Sequence, residues 1–357
     1  MALVGMAAAS RYGYSNARVK AMESKLVGNE FVKEISKINE IETIIAKLLQ
    51  TDYKRYIEEF GGKDIKSELI DFALRKSFND STEKLIKVTP NDQKDTIMRI
   101  VSKWDVYNIK LALYAKSNGK SYDDISKYVI STYLVSPEIM KEAMAEANVD
   151  YMVGKLVLST PYRLVLDAAL DTYRKTNGNM TEVSAAIDKA FFDDLGNTIF
   201  RLARSSHEAA MVVKLDIEMR NMRVLIRSKR HNSSASRIKD LLIPNGITPT
   251  DQLVKIYENA RDIRELVDSI KSFDLKNVYA QYEASKDKRI LLFEIGMRNI
   301  IFERMIALLR HSMLSLGTII AFFYLKEMEI FTLRVIIQGK AYGLSPEDIN
   351  SMIKWQI

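Results

Sequence analysis

Three stretches, Trp104–Ile130 (WDVYNIKLALYAKSNGKSYDDISKYVI), Ile217–Ile243 (IEMRNMRVLIRSKRHNSSASRIKDLLI) and Met328–Lys354 (MEIFTLRVIIQGKAYGLSPEDINSMIK), superimpose without a gap when Lys116, Lys229 and Lys340 share a column. Eleven positions before that lysine stands an acid, Asp105, Glu218 or Glu329, and six before it a base, Lys110, Arg223 or Arg334. Five after it stands Ser121, Ser234 or Ser345, and nine after it Ile125, Ile238 or Ile349. The columns Val106/Met219/Ile330, Ile109/Met222/Leu333 and Leu113/Ile226/Ile337 fall at i, i+3 and i+7, which is one face of an α-helix. A polar break follows, then the serine at an N-cap position. In the first and third copies an acid three residues on, Asp124 or Asp348, supports the cap, and Pro346 takes the first helical position. The second copy has Arg237 in place of the acid, so its cap is expected to be weaker. Each copy reads as helix, tight turn, helix.

The three lysines are 113 and 111 residues apart, so each repeat is the size of a small domain. Upstream, Thr51-Asp52-Tyr53 answers Thr160-Pro161-Tyr162, and Leu291-Leu292-Phe293-Glu294 is the nearest candidate for the third counterpart. Pro137 and the Pro244-Asn245-Gly246 turn interrupt the pattern and suggest boundaries that give three helical repeats, 1–132, 133–246 and 247–357. No strand alternation competes. Val153–Leu158 is apolar enough to mimic a strand, but Gly154 and Lys155 lie inside it. The expected fold is all-α: three similar helical subdomains in a compact, pseudo-threefold, funnel-like arrangement, since head-to-tail contacts that close give rings.

Composition narrows the chemistry. The chain has 357 residues, 47% hydrophobic and 28% charged, with a net charge of +7, within the range of ordinary folded proteins. It has no cysteine, which excludes disulfides, thiolate metal sites and a cysteine nucleophile. His207, His231 and His311 are its three histidines, and none forms an i, i+4 metal-binding pair. The apolar run Met313–Leu325 is shorter than the roughly 20 residues of a bilayer span and reads as a buried helix. The opening MALVGMAAAS lacks the positive region of a secretory signal, so a protein without its own membrane anchor is expected.

The remaining motifs have bland readings. Gly119-Lys120-Ser121 resembles the tail of a phosphate loop, but Tyr114 stands where the first glycine is required and a helix precedes it. Arg227-Ser228-Lys229-Arg230-His231 is the densest basic cluster, and a helical nucleic-acid binder is the corresponding alternative. A helix C-terminus, where cations meet the negative end of the dipole, accounts for it without an aromatic platform. The pairs Glu58-Glu59 and Asp193-Asp194 read as solvated faces. The recurring acid and base are five residues apart, on different sides of one helix, so each is expected to meet a partner from another helix. The turns Asn118-Gly119-Lys120, Arg230-His231-Asn232 and Tyr342-Gly343 recur threefold and are polar, which makes them candidate partner contacts.

Several segments together resemble one family. Tyr12-Gly13-Tyr14-Ser15-Asn16-Ala17-Arg18-Val19-Lys20-Ala21-Met22, Arg223–Lys229 with Leu242-Ile243-Pro244-Asn245-Gly246, and above all Gly317–Glu327, Leu333-Arg334 and Gly339–Leu344 are similar to the C subunit of the archaeal A-type ATP synthase, in a family that includes the d subunit of the V-type ATPase. The chain departs from it where Met313-Leu314 replaces a commoner Pro and Phe331-Thr332 a commoner Arg-Asn. The resemblance implies a funnel of three subdomains capping the cytoplasmic end of the membrane proteolipid (c/K) ring and joining it to the D and F subunits of the central stalk. It implies a peripheral part of the rotor, with neither a catalytic site nor a cofactor, metal, nucleic acid or small-molecule substrate, acting during proton or sodium transport. A helical scaffold of some other membrane complex is the milder alternative.

Overall fold

The computed structural model describes residues 2–60, 67–130, 134–284, 290–310 and 314–353. These residues form α-helices and short 3-10 turns and no strand, so the all-α expectation holds. After α1 (Ala2–Glu23), one order of elements recurs three times: a short helix pair, a third helix, a long helix, then the lysine-bearing helix, which is divided into two in the first round, and its short successor. The first round is α2 (Asn29–Lys37), α3 (Ile41–Leu48), α4 (Lys54–Phe60), α5 (Ser67–Val88), α6 (Lys94–Val101), α7 (Lys103–Ser117) and α8 (Tyr122–Ile125). The second is α9 (Pro137–Ala145), α10 (Val149–Ser159), α11 (Arg163–Lys175), α12 (Met180–Ser205), α13 (His207–Arg230) and α14 (Ala235–Leu241). The third is α15 (Thr250–Asn259), α16 (Ile263–Ser269), α17 (Lys276–Ala284), α18 (Ile290–Arg310), α19 (Leu316–Ala341) and α20 (Pro346–Met352).

Local chemistry sets many of the boundaries. Ser136 caps α9 by accepting from the Ile139 amide at 3.3 Å, with Pro137 at the first position. Asn148 caps α10 through the Tyr151 amide at 3.0 Å, and Asp262 caps α16 through the Glu265 amide at 2.9 Å. Each side-chain oxygen satisfies a donor that the first helical turn leaves without a partner.

The chain divides into two compact units, residues 98–272 and residues 1–97 joined with 273–357. In the first, α12 packs on α11, α13 and α7, and α13 on α14 and α16. In the second, α19 is the centre, surrounded by α1, α2, α3, α5, α18 and α20. Most of its 26 residues are buried, including Phe322, Phe323, Tyr324 and the charged Lys326 and Glu329. A helix apolar on every side is stable only when enclosed in this way. This is the expected buried helix of the 313–325 run, described from Leu314 onward. The expected boundary at 132/133 lies outside the described residues, and that at 246/247 falls in the loop between α14 and α15.

Candidate functional site

The three lysine-bearing helices end in one geometry. The third residue after each lysine is left-handed: Gly119 at φ 68°, Asn232 at φ 50° and Gly343 at φ 72°. The next amide reaches back over the last turn, Lys120 N to Ala115 O at 2.9 Å, Ser233 N to Ser228 O at 3.0 Å and Leu344 N to Gly339 O at 2.9 Å. These are Schellman turns, which satisfy carbonyls orphaned by the helix end. The acceptor column, Ala115/Ser228/Gly339, is small in all three copies. A Cβ on Gly339 would lie 2.9 Å from Cγ1 of Ile349, the isoleucine nine residues after the lysine. The sequence alone suggests a packing or helix-end role for Gly339 but does not single out the column. The serines cap as expected: Ser121 with Asp124 as a capping box, and Ser345 accepting from Asp348 N at 3.1 Å. Ser234, without its acid, accepts from Arg237 N at 3.5 Å. The Ser121 amide and hydroxyl hold the Asp124 carboxyl below its usual pKa. All eight candidate contact residues, Asn118, Gly119, Lys120, Arg230, His231, Asn232, Tyr342 and Gly343, lie on these turns, and most are exposed there.

The lysines point back into the fold. Lys116 Nζ donates to Met144 O at 3.0 Å and to Glu146 O, at the C-terminal end of α9. Lys229 Nζ donates to Tyr257 O and Ala260 O, both at 2.7 Å, at the C-terminal end of α15, and lies 3.8 Å from the centre of the Tyr257 ring. Lys340 Nζ donates to Asn39 Oδ1 at 3.4 Å, in the turn after α2. In each case an ammonium sits at the C-terminal end of a short helix, at the negative pole of its dipole, and Lys116 and Lys229 meet main-chain carbonyls there. Desolvation pushes the pKa of Lys229 and Lys340 down. Lys229 is thereby committed to main-chain carbonyls, and the basic cluster is the helix end that the dipole argument expects.

The acids make the second contact. Asp105 accepts from Val135 N at 3.0 Å and from the Tyr162 hydroxyl at 2.6 Å. Glu218 accepts from Ile247 N and Thr248 N, each at 3.1 Å, and from Thr248 Oγ1 at 2.5 Å. Glu329 accepts from Val27 N at 2.7 Å and from Lys326 Nζ at 2.6 Å, and that ammonium also donates to the Tyr53 hydroxyl at 2.9 Å. All three carboxylates are buried. Burial, with Asp105 or Glu329 alongside, pushes Tyr162 and Tyr53 far above the ordinary tyrosine pKa.

The bases Lys110 and Arg334 make a third contact. Lys110 Nζ meets Asp188 Oδ2 of α12 at 2.6 Å, and Arg334 Nε donates to Asp71 Oδ1 of α5. In the first and second copies the partner turns of lysine and acid lie 28–31 residues downstream. For the third copy they lie at the beginning of the chain. Each copy therefore grips the helix pair of the next round, and the last grips the first.

Three features are not apparent from the sequence. Asn221 bridges Ile243 with both amide atoms, donating to O and accepting from N at 2.8 Å, and Asn108 does the same for Ile130. The third copy has Thr332 in this column; Asn-Asn-Thr within an apolar helix face is the available signal. The counterpart of Tyr53 and Tyr162 is Phe273, just ahead of α17, whereas Leu291–Glu294 belongs to the first turns of α18. Phe273 has no hydroxyl, and Thr248 supplies the one that Glu218 accepts. Lastly, Lys103 and Asp216 form a buried pair at 3.1 Å with Arg220 3.4 Å from the same carboxylate. Burial works to raise the Asp216 pKa, but Lys103 and Arg220 outweigh it and hold it at about 2.

Comparison with known proteins matches nearly the whole chain. The profile of the ATP synthase (C/AC39) subunit family matches residues 15–352. The C subunit of the A-type ATP synthase of Methanocaldococcus jannaschii is 26% identical over 344 residues, covering 96% of this chain and 86% of the relative. Those of Desulfurococcus sp. and Thermococcus onnurineus are 27% and 26% identical, each across 96% of this chain and 90% of the relative.

Proposed function

Because the chain belongs to the ATP synthase (C/AC39) subunit family, we propose that it is the non-catalytic central-stalk component of a rotary A-type ATP synthase, coupling the proteolipid ring of the membrane sector to the D and F subunits of the stalk. In this reading the repeats 1–132, 133–246 and 247–357 are three modules around a pseudo-threefold axis, and the body is a funnel on the cytoplasmic side of the membrane. Rotation passes through it while protons or sodium ions cross the ring. The protein attaches peripherally, and no described helix is long and apolar enough to cross a membrane.

The observation that carries the proposal is the repeated joint: buried acid to main-chain amide, lysine to the next helix end. A part that passes torque requires stiffness rather than a nucleophile. Close-packed interiors tolerate little deformation, and a polar contact with both partners satisfied and buried fixes the angle between helices. The exposed turns are then free to grip. Their mixed character, with Lys120, Arg230, His231 and Tyr342, suits a partner that offers both charge and apolar surface.

Isolation of the native assembly in mild detergent tests the assignment: the chain is expected to migrate with small proteolipids and two stalk proteins. Lys120→Glu, Arg230→Glu and Tyr342→Asp, each assayed for binding to the purified ring, test the grips. Full affinity in all three variants would discard that role for the turns, and recovery without proteolipids would discard the assignment itself.

A further inference from the structure

The helix pairs provide a second threefold comparison, and here one copy differs. Counted from their first residues, Ile41, Val149 and Ile263, α3, α10 and α16 bury the same columns: Ile44/Met152/Leu266, Ile45/Val153/Val267 and Leu48/Leu156/Ile270. The outward columns diverge in chemistry. The first holds Thr43, Tyr151 and Glu265, and the second Ala46, Gly154 and Asp268. One turn further, Leu158 still lies on α10, whereas Gln50 is in the turn after α3 and α16 ends at Ser269, short of that column. Two of the faces are polar or small. The face on α10 is Tyr-Gly-Leu, with Tyr151 64% and Leu158 87% exposed. Leu164, 70% exposed, stands two residues after Tyr162 at the start of α11, where Arg55 occupies the matching place after Tyr53.

Gly154 is a separate observation. A Cβ there would meet nothing within 4 Å, so the fold does not require glycine. Glycine weakens a helix interior relative to alanine, and alanine stands at the equivalent Ala46. What the missing side chain does is leave a shallow notch between Tyr151 and Leu158, into which another backbone can come close.

We propose that the α10 face, Tyr151, Gly154 and Leu158 with Leu164, is the docking site for an uncharged apolar face of one helix from another subunit of the synthase. The occupant follows from the charges around the patch, which neutralise each other: Arg174 holds Asp150 at 2.8 Å, Lys155 lies 3.3 Å from Glu142, and Arg163 lies 3.6 Å from Asp167. Such a rim offers a charged partner no net attraction, whereas an apolar helix buries the tyrosine and leucines without stranding an ion. Since only one of three equivalent faces carries the patch, the partner touches the protein on one side. This inference rests on the proposed place in the complex.

The chain contains no cysteine, so an introduced thiol is its sole reactive one. Leu158→Cys and Gly154→Cys, with Gln50→Cys and Asp268→Cys as the equivalents on the other faces, are labelled with a maleimide in the free protein and in the purified synthase. The expected result is at least tenfold slower labelling at 158 and 154 in the complex and little change at 50 and 268. A photocrosslinker attached to the introduced thiol of the Leu158→Cys variant is expected to reach an apolar helix of one other subunit. Equal rates at 158 in both states would overturn the proposal, as would protection at all four positions. Protection already present in the concentrated free protein would mean a second copy, and protection by neutral phosphatidylcholine vesicles alone would mean lipid; either also overturns it. Failure of the chain to enter the synthase would instead count against the proposed function.

Discussion

The joint made by the first copy and the joint made by the third do the same work with different chemistry. Lys116 reaches two main-chain carbonyls, whereas Lys340 reaches one side-chain oxygen at 3.4 Å. Asp105 accepts from the Val135 amide and the Tyr162 hydroxyl, whereas Glu329 accepts from the Val27 amide and from a buried ammonium, Lys326, that also reaches Tyr53. The two joints also close different lengths of chain. Asp105 meets an amide 30 residues away and Glu329 one 302 residues away. Tenfold more chain costs roughly 2 kcal/mol of additional closure entropy. The joint that unites the two ends of the protein has the weaker lysine contact and carries a buried ion pair.

The largest effect is therefore expected from Lys326→Met. Removing one member of a buried pair leaves Glu329 uncompensated, at a cost of roughly 3–5 kcal/mol. Urea unfolding should show the loss, and limited proteolysis should find new cleavage between α1 and α2, next to Val27. A loss below about 0.5 kcal/mol, the size of an ordinary surface substitution, would show that the ion pair is incidental to closure.

Asp216→Asn examines the other unit, whose buried pair lies apart from the joints' acids. The Asp216 carboxyl, with its pKa lowered to about 2 from an ordinary 3.8, stabilises the fold by about 2 kcal/mol at neutral pH. Because the folded pKa is the depressed one, that contribution is complete above about pH 4 and is lost as the pH falls from there towards about 2. The variant should be less stable at neutral pH, and the difference from the parent should shrink over that window. A constant difference across it would remove Asp216 as the titrating group.

Lys116→Met and Lys340→Met compare the lysines directly. The first strands two carbonyls and is expected to cost about 1–3 kcal/mol; the second loses one long hydrogen bond and should cost about 1 kcal/mol or less. Equal losses in chemical denaturation would erase the distinction between the joints.

What the sequence reveals and what it hides follow from the same geometry. The lysine, acid, base and serine columns are legible because each copy places them at fixed spacing on one continuous helix, turn and helix. Partners downstream, such as Val135 or Ala260, recur at near-constant distance but contribute main-chain atoms, which leave no trace in residue type. Closure of the third copy onto Val27, Asn39 and Tyr53 is hidden by the roughly 300 intervening residues. Phe273 is obscured because the loss of one hydroxyl breaks the tyrosine column, although Thr248 restores the bond. The α10 face is visible as the apolar run Val153–Leu158, but only the burial pattern shows that Met152, Val153 and Leu156 point inward while Tyr151, Gly154 and Leu158 face solvent.

The smallest effect concerns the three turns. Gly119 and Gly343 adopt the left-handed conformation without a Cβ, whereas Asn232 occupies it at φ 50° with one. Asparagine tolerates this region better than most residues, but glycine is the preferred occupant of a Schellman turn. Asn232→Gly relieves that strain and also loosens the unfolded chain, and the two effects oppose each other. The balance should be a gain of a few tenths of a kcal/mol, read as a small rise in melting temperature, with no change in ring binding if the backbone path of the turn is what the partner meets. A loss of binding without a loss of stability would instead assign the Asn232 side chain to the contact and set the second turn apart from its two glycine counterparts.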